Sequence, residues 1–110
     1  MKEITHLQSI TAVDQFIATN QMSFIYVTRT NCSVCHALLP RVREMLNQYE
    51  NIHLGQVNAD DVTEIAGHFS IFTVPVLLLF VEGKEMIREA RFVQIEALDT
   101  QIGRIYEMNT

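Results

Sequence analysis

The hydrophobic residues of the chain recur with two different periods, and these periods predict alternating strands and helices. Residues 24–28 read Phe-Ile-Tyr-Val-Thr, a β-branched and aromatic run that is typical of a buried strand. Residues 52–58 alternate apolar and polar side chains, as a half-buried strand does. Residues 76–81 form a nearly continuous apolar run, which favours a central strand covered on both faces. Shorter strands are predicted near the two ends, at residues 3–8 and 86–91.

Apolar residues at helical spacing occupy the segments between these strands. Thr11 is expected to cap the first helix, because Asp14 follows it at the acidic third position. Leu38, Val42 and Met45 fall on one face of the second helix. Four helices are predicted in all, at residues 11–20, 33–49, 62–69 and 94–107.

The predicted order of elements is β-α-β-α-β-α-β-β-α within one domain that spans residues 1–110. Glu82-Gly83-Lys84 has the composition of a hairpin turn between the last two strands. Helices alternating with strands in this way predict an α/β fold. We expect a central mixed five-stranded sheet with helices on both faces, that is, three α/β/α layers.

Charge and hydropathy exclude several classes of partner. The net charge is −5, which argues against nucleic acid or an anionic membrane surface as a ligand, because both require a basic patch. The longest apolar run, residues 74–81, is too short to span a bilayer and contains a proline. The first ten residues lack the apolar core of a signal peptide. A cytoplasmic protein is therefore expected.

The segment Asn31-Cys32-Ser33-Val34-Cys35-His36 contains both cysteines of the chain. Its spacing fits three kinds of site: a c-type haem attachment, half of a zinc site, or a thiol–disulfide redox pair. Haem attachment normally requires export, and no export signal is seen. Zinc requires two further ligands, and the remaining histidines stand at no metal-ligand spacing: His6, His53 and His68. We therefore expect no metal and no organic cofactor.

The position of the cysteines in the predicted fold favours redox chemistry. They follow the strand at 24–28, and open α/β sheets place their sites at the carboxyl ends of strands. Cys32 stands just before a helix, where free backbone N–H groups and the helix dipole favour a thiolate, so its pKa is expected to be low. Cys35 lies on the same helical face. Cys32 is thus predicted to be the attacking thiol and Cys35 the resolving thiol.

The whole chain resembles the thioredoxin family. The resemblance is carried by FIYVTRTNCSVCHALLP, QVNADD and FTVPVLLLFVEGKE. It implies that Pro75 is cis and faces the cysteines, and that the backbone of Val74 pairs with a substrate chain. It also implies that Pro40 kinks the helix that carries the cysteines.

Several positions depart from the family pattern. The usual Trp-Cys-Gly-Pro-Cys is replaced by the segment that begins at Asn31. Tyr26 occupies the position of the family's buried aspartate, and Gln56 occupies that of its lysine partner. Tyr26 and Gln56 are expected to hydrogen-bond each other. Tyr26 is otherwise interpreted as a core aromatic, His36 as a solvated histidine at the rim, and Phe92 as either core or rim. A glycine after the last strand is replaced within Arg91-Phe92-Val93.

The resemblance implies a thiol–disulfide oxidoreductase that acts on protein disulfides, with a slower resolving step than a standard thioredoxin. The alternative is a redox-sensing adaptor with little turnover. The partners would be a protein disulfide and a reductase or small thiol, and the chain would be a monomer or weak dimer. The expected substrate-binding residues are Asn31, Ser33, Val34, Val74, Pro75 and Phe92. The residues expected to tune the pair are Tyr26, His36, Pro40 and Gln56.

Overall fold

The computed structural model describes all residues from 1 to 110, and its elements follow the predicted order. The elements are β1 (Ile4–His6), α1 (Ile10–Thr19), β2 (Met22–Thr28), α2 (Ser33–Leu46), β3 (Ile52–Asn58), α3 (Ile65–His68), β4 (Val76–Val81), β5 (Lys84–Ala90) and α4 (Ile95–Met108). The five strands form one sheet in the order β1-β3-β2-β4-β5. β1, β3 and β2 are parallel, whereas β4 and β5 are antiparallel to their neighbours. The expected mixed sheet is confirmed.

Two apolar cores lie on opposite faces of the sheet, because successive strand side chains point to opposite sides. Phe24 and Tyr26 of β2 belong to the core that contains the buried residues of α2 and α4. Ile25 and Val27 of the same strand belong to the core that contains those of α1 and α3. Every residue of β2 is buried. The molecule therefore has the expected three layers, with β2 at its centre.

Some boundaries differ from the predictions. Thr11 was the wrong choice of N-cap for α1, because the hydroxyl of Ser9 caps this helix by accepting the backbone N–H of Ala12 at 3.0 Å. α2 ends at Leu46, three residues earlier than expected. Tyr49 instead packs on the ring of Tyr106 in α4, with 5.0 Å between the ring centroids.

The β4–β5 hairpin turns where the sequence predicted it. Glu82 and Gly83 have φ angles of 50° and 83°. Positive φ at both central residues is what the two-residue turn of a hairpin needs, because its twist then matches that of the strands.

The two edges of the sheet are β1 and β5. β1 has three residues only. β5 is longer, and four of its seven residues are charged: Lys84, Glu85, Arg88 and Glu89. None of the four helices is long and apolar enough to cross a lipid bilayer.

Candidate active site

The two cysteines lie at the carboxyl end of β2 and form a disulfide. Their Cα atoms are 5.3 Å apart, because the two residues stand three positions apart at the start of a helix. Cys32 is the N-cap of α2, and its Sγ accepts the backbone N–H of Cys35 at 3.2 Å. Cys32 is half-buried, whereas Cys35 has no exposed surface. An approaching reactant therefore reaches the sulfur of Cys32 and not that of Cys35.

The helix that follows Cys32 favours negative charge on it. The first turn of α2 holds no acidic residue, so nothing offsets its free N–H groups or its dipole. When the disulfide is reduced, these groups stabilise a thiolate at Cys32, and the thiolate is the reactive form.

Tyr26 lies beneath the cysteine pair and does more than fill the core. Its side chain is fully buried, and its hydroxyl donates a hydrogen bond of 2.6 Å to the backbone carbonyl oxygen of Cys35. Burial raises the pKa of this phenol well above its usual range, so the hydroxyl keeps its proton. Tyr26 therefore ties the first turn of α2 to the central strand.

The expected hydrogen bond between Tyr26 and Gln56 is absent, and that prediction was wrong. The two residues do stand opposite each other in the β2–β3 register. The hydroxyl of Tyr26 instead reaches toward α2, where it donates to the carbonyl oxygen of Cys35. Gln56 is half-buried and lines a surface cavity together with His6 and Asn58.

His36 is exposed, as expected, but it is also anchored. Its Nε2 lies 2.8 Å from the carbonyl oxygen of Thr30. A carbonyl oxygen only accepts, so Nε2 carries the proton of this bond. His36 thereby joins the first turn of α2 to the loop that precedes the cysteines. Pro40 lies further along the same helix, which continues through it to Leu46.

The loop before the cysteines is held by a carboxylate from the next strand. Asp60 follows β3, and its two oxygens accept from the side chain of Arg29 and from the backbone N–H of Thr30, each at 2.9 Å. Arg29 is paired in this way and does not reach a cysteine. A surface cavity beside the disulfide is lined by Arg29, Asn31, Cys32, Asp60 and Val74.

The segment before β4 completes this surface. The peptide bond between Val74 and Pro75 is cis. Pro75 is buried and Val74 is half-buried. The backbone N–H and carbonyl of Val74 have no hydrogen-bond partner within the chain, whereas the carbonyl of Pro75 accepts from Arg91 at 3.0 Å. Val74 thus offers a free backbone donor and acceptor next to the cavity at Cys32.

Three large apolar side chains, on the cysteine segment, before the cis proline and after β5, are exposed to solvent. Val34 is 58% exposed, Phe92 84% and Phe72 94%. Phe92 is thus a rim residue and not a core residue. It follows Arg91, which has a φ of 64°, a conformation that favours glycine. Asn31 and Ser33 are exposed as well.

Phe72 is the residue that the sequence analysis missed. It lines a surface groove that contains the apolar residues Ala59, Ala66, Ile71 and Val74 and the polar residues Arg29, Thr63 and Thr73. A phenylalanine next to an isoleucine is ordinarily a core residue. Its position three residues before the cis proline was the one signal that could have placed it at the site.

No group of three or more histidine, cysteine and acidic side chains in the protein could hold a metal ion. His36 is engaged by Thr30, and the two cysteines by each other. The chemistry that this arrangement can perform is the reversible exchange of the Cys32–Cys35 disulfide.

Comparisons with known proteins agree with this geometry. The thioredoxin family model matches residues 5–103. The thioredoxin-like protein YdfQ of Bacillus subtilis strain 168 is 54% identical over 108 residues, which cover 98% of this chain and 96% of that protein. The thioredoxin of Mycoplasma pneumoniae is 24% identical over 90 residues, which cover 82% of this chain and 88% of its own length.

A solved structure shows the same fold. A mutant thioredoxin from Halobacterium salinarum NRC-1 superposes with a TM-score of 0.82 over 93% of this chain and 89% of its own, at 22% identity. The family model covers nearly the whole chain, and the cysteine pair at disulfide distance supports a thiol–disulfide oxidoreductase. With its mixed five-stranded sheet and its Cys-x-x-Cys pair at the start of α2, this chain belongs to the thioredoxin family.

Proposed function

We propose that the protein reduces disulfides in other proteins through Cys32 and Cys35, and that it resolves the mixed disulfide more slowly than a standard thioredoxin. The observation that carries the proposal is the asymmetry of the pair. Cys32 is accessible at a helix N-terminus, and Cys35 is buried behind it. This is the arrangement that separates an attacking thiol from a resolving thiol.

The reaction has two exchange steps. The thiolate of Cys32 attacks one sulfur of the substrate disulfide, a Cys32–substrate bond forms, and the other substrate sulfur leaves as a thiolate. Cys35 then loses its proton and attacks Cys32, which closes the Cys32–Cys35 disulfide and releases the second substrate sulfur. Two electrons pass to the substrate, whose sulfurs end as thiols. A reductase or a small thiol returns two electrons to the pair.

The substrate chain would lie beside Val74. Its free N–H and carbonyl can pair with an extended segment, which adds main-chain hydrogen bonds that do not depend on sequence. Asn31, Ser33 and Val34 are exposed on the cysteine segment, and Phe92 is exposed after β5. These residues would contact the substrate around the disulfide.

The slow resolving step follows from the environment of Cys35. Its side chain is buried, and the polar side chain that reaches its backbone is the neutral phenol of Tyr26, whose proton is donated to the Cys35 carbonyl. The raised pKa of Tyr26 means that it supplies no base at neutral pH. The proton of Cys35 must therefore pass to solvent, and this limits the rate at which Cys35 attacks.

The test combines trapping with kinetics. Cys35→Ser should accumulate mixed disulfides with a disulfide-bonded test protein, whereas Cys32→Ser should form none. Stopped-flow mixing of the wild-type protein should show a slower closing step than a standard thioredoxin does with the same substrate. Turnover without a trappable intermediate would contradict the mechanism, and an equally fast closing step would contradict the proposed slow resolution.

A redox-sensing adaptor remains the second candidate, and the exposure of Phe72 and Phe92 favours it. Phe72 precedes the cis proline and Phe92 follows β5, and exposed rings of this kind offer surface on which a partner could dock without turnover. In an adaptor, partner binding should survive both cysteine substitutions or follow oxidation state alone. In the enzyme, retention of the partner should require Cys32.

A further inference from the structure

The first turn of α2 is joined to the centre of the sheet by one buried hydrogen bond. Tyr26 stands in the middle of β2, between Gln56 of β3 and Leu77 of β4 in the strand register. It is held there by pairing on both sides. Its hydroxyl donates to the carbonyl oxygen of Cys35 at 2.6 Å, and neither residue has exposed surface. A rigid strand thus holds the backbone of the cysteine that closes the disulfide.

The sequence of α2 explains why a hydrogen bond from outside the helix matters at this turn. Pro40 lies inside α2 and has no N–H, so the carbonyl of His36 lacks the donor that a regular helix would place four residues later. His36 is the residue directly after Cys35. The turn that carries Cys35 is therefore held less firmly by its own helix, and the bond from Tyr26 adds a support from outside.

A second tie acts on the opposite, exposed side of the same turn. The ring of His36 reaches the carbonyl of Thr30 at 2.8 Å. The two ties differ in their targets. His36 holds the loop before the cysteines, whereas Tyr26 holds the peptide of Cys35 itself.

We propose that Tyr26 is a positioning residue for the resolving step: its hydroxyl fixes the Cys35 peptide so that the Cys35 sulfur stays within reach of Cys32. This rests on the proposed function, in which Cys35 closes the disulfide. Closing requires the Cys35 thiolate to attack the Cys32 sulfur of a mixed disulfide, with the thiol bound to Cys32 as the leaving group. Holding the two sulfurs close makes this attack effectively intramolecular at high local concentration.

The experiment uses Tyr26→Phe, which keeps the buried ring and removes only the hydroxyl. The matched control is Tyr49→Phe, because Tyr49 is also buried and also donates its hydroxyl across an interface, to Asp99 of α4, away from the cysteines. Each reduced protein is mixed with 5,5′-dithiobis(2-nitrobenzoic acid). The first release of thionitrobenzoate reports the attack by Cys32, and the second release reports the attack by Cys35.

Tyr26→Phe should slow the second release by about three- to tenfold, as expected for one buried hydrogen bond, and leave the first release within about twofold. Tyr49→Phe should change neither release, although both variants lose a hydrogen bond. The rate of the second release should keep the same shape of pH dependence in Tyr26→Phe, because a positioning group moves the whole profile down without moving it along the pH axis.

The equilibrium gives an independent readout. The constant for closing the Cys32–Cys35 disulfide against a glutathione buffer should fall in Tyr26→Phe, and a tenfold fall corresponds to about 30 mV in reduction potential. An unchanged second release in Tyr26→Phe would overturn the proposal, as would an equal slowing in both tyrosine variants. A wild-type protein that shows no first release would instead contradict the proposed function itself, and one without a second release would overturn both.

Discussion

The backbone N–H of Thr30 donates a hydrogen bond of 2.9 Å to Oδ2 of Asp60, which joins the loop after β2 to the loop after β3. The second oxygen of the same carboxylate accepts from Arg29. The hydrogen bond from Thr30 and then the side chain of Arg29 hold the pKa of Asp60 below its usual range. The loop that presents Cys32 is thus held by a charged group from the loop after β3.

The stabilisation that Asp60 gives to this loop should decrease as the pH falls. The pKa of Asp60 is lower in the folded chain than its ordinary value of 3.8, so its contribution to stability is complete above that value. The contribution is lost as the pH falls through the folded value. Asp60→Asn should therefore lower the thermal midpoint at pH 7, and the difference from wild type should shrink at an acid pH below 3.8.

The control for this prediction is Asp61→Asn. Asp61 is the adjacent carboxylate, and its side chain is exposed and accepts no hydrogen bond, so its substitution should leave the midpoint nearly unchanged at both pH values. Circular dichroism melts of the three proteins measure this. A midpoint of Asp60→Asn equal to that of wild type at pH 7 would show that the carboxylate of Asp60 adds nothing to stability.

The exposed rings of Phe72 and Phe92 should affect recognition without affecting stability. Phe72→Ser and Phe92→Ser remove surface that is already in water, so the free energy of unfolding should change by less than about 0.5 kcal/mol. The KM for a protein disulfide should rise by at least about threefold, because apolar contacts at the centre of an interface carry much of its binding energy. The rate with a small-molecule disulfide should stay the same.

Met108→Ser is the control for the two phenylalanines. Met108 is 83% exposed at the end of α4, which makes it similar in exposure and apolar character but places it outside the site. Steady-state assays with the two kinds of disulfide compare the three variants. If Met108→Ser raises KM as much as the phenylalanine variants do, docking is unspecific and the site does not extend to Phe72.

Gly55 of β3 should tolerate no larger residue. A Cβ at this position would lie 2.6 Å from Cδ1 of Leu7 and 3.0 Å from the ring of Phe16. Leu7 is buried, so its side chain has little room to move. Gly55→Ala should lower the free energy of unfolding by about 1–3 kcal/mol through overpacking.

Gly67 of α3 is the matched control for Gly55. A Cβ there would meet nothing within 4 Å. Gly67→Ala should raise the free energy of unfolding by about 0.4–1 kcal/mol, because alanine loses less backbone entropy on folding. Urea titrations of both variants measure the two effects, and effects of the same sign would contradict the packing argument.

Arg91 stands where its backbone conformation suits glycine better. Its φ of 64° destabilises a residue with a side chain by about 1–2 kcal/mol. Glycine avoids this strain but loses more backbone entropy on folding, which offsets about half of the gain. Arg91→Gly should therefore stabilise the protein by about 0.5–1 kcal/mol. Arg91→Val should destabilise it, since β-branched residues suit this region least.

Arg91→Lys completes the series, because it keeps both the charge and the Cβ atom and should leave stability unchanged. Urea unfolding at pH 7 gives the free energy of unfolding of the wild type and of the three variants. A destabilised Arg91→Gly would mean that the stacking of the Arg91 guanidinium over the ring of Phe92, 5.7 Å from its centroid, outweighs the backbone cost.

The elements could be predicted from the chain because their patterns are local. The buried runs of β2 and β4 and the turn at Gly83 follow from residue type and period alone. The N-cap of α1 was misplaced because Ser9 and Thr11 are both good caps, and the choice depends on which hydroxyl meets a free N–H. Such a choice is made by the backbone geometry and not by residue type.

The candidate site was predicted less completely, because its details depend on contacts that are distant in sequence. The two cysteines and Val74-Pro75 could be identified from their motifs. The direction of the Tyr26 hydroxyl depends on which acceptor the fold brings within reach of it. From the sequence, the side chain of Gln56 was one possible acceptor, and the carbonyl of Cys35 on α2 was another. The exposure of Phe72 depends on how the segment before the cis proline leaves the core, and its apolar neighbours gave the opposite indication.

The edges of the sheet determine how the protein behaves among copies of itself. An edge strand presents a row of open N–H and carbonyl groups on which another chain can add a strand, and fibrils grow in this way. β1 is too short to template such growth. β5 carries four charged side chains, and charged residues on an edge strand disfavour the addition of another strand. Crowded copies should therefore stay dispersed, even though the rings of Phe72 and Phe92 are exposed.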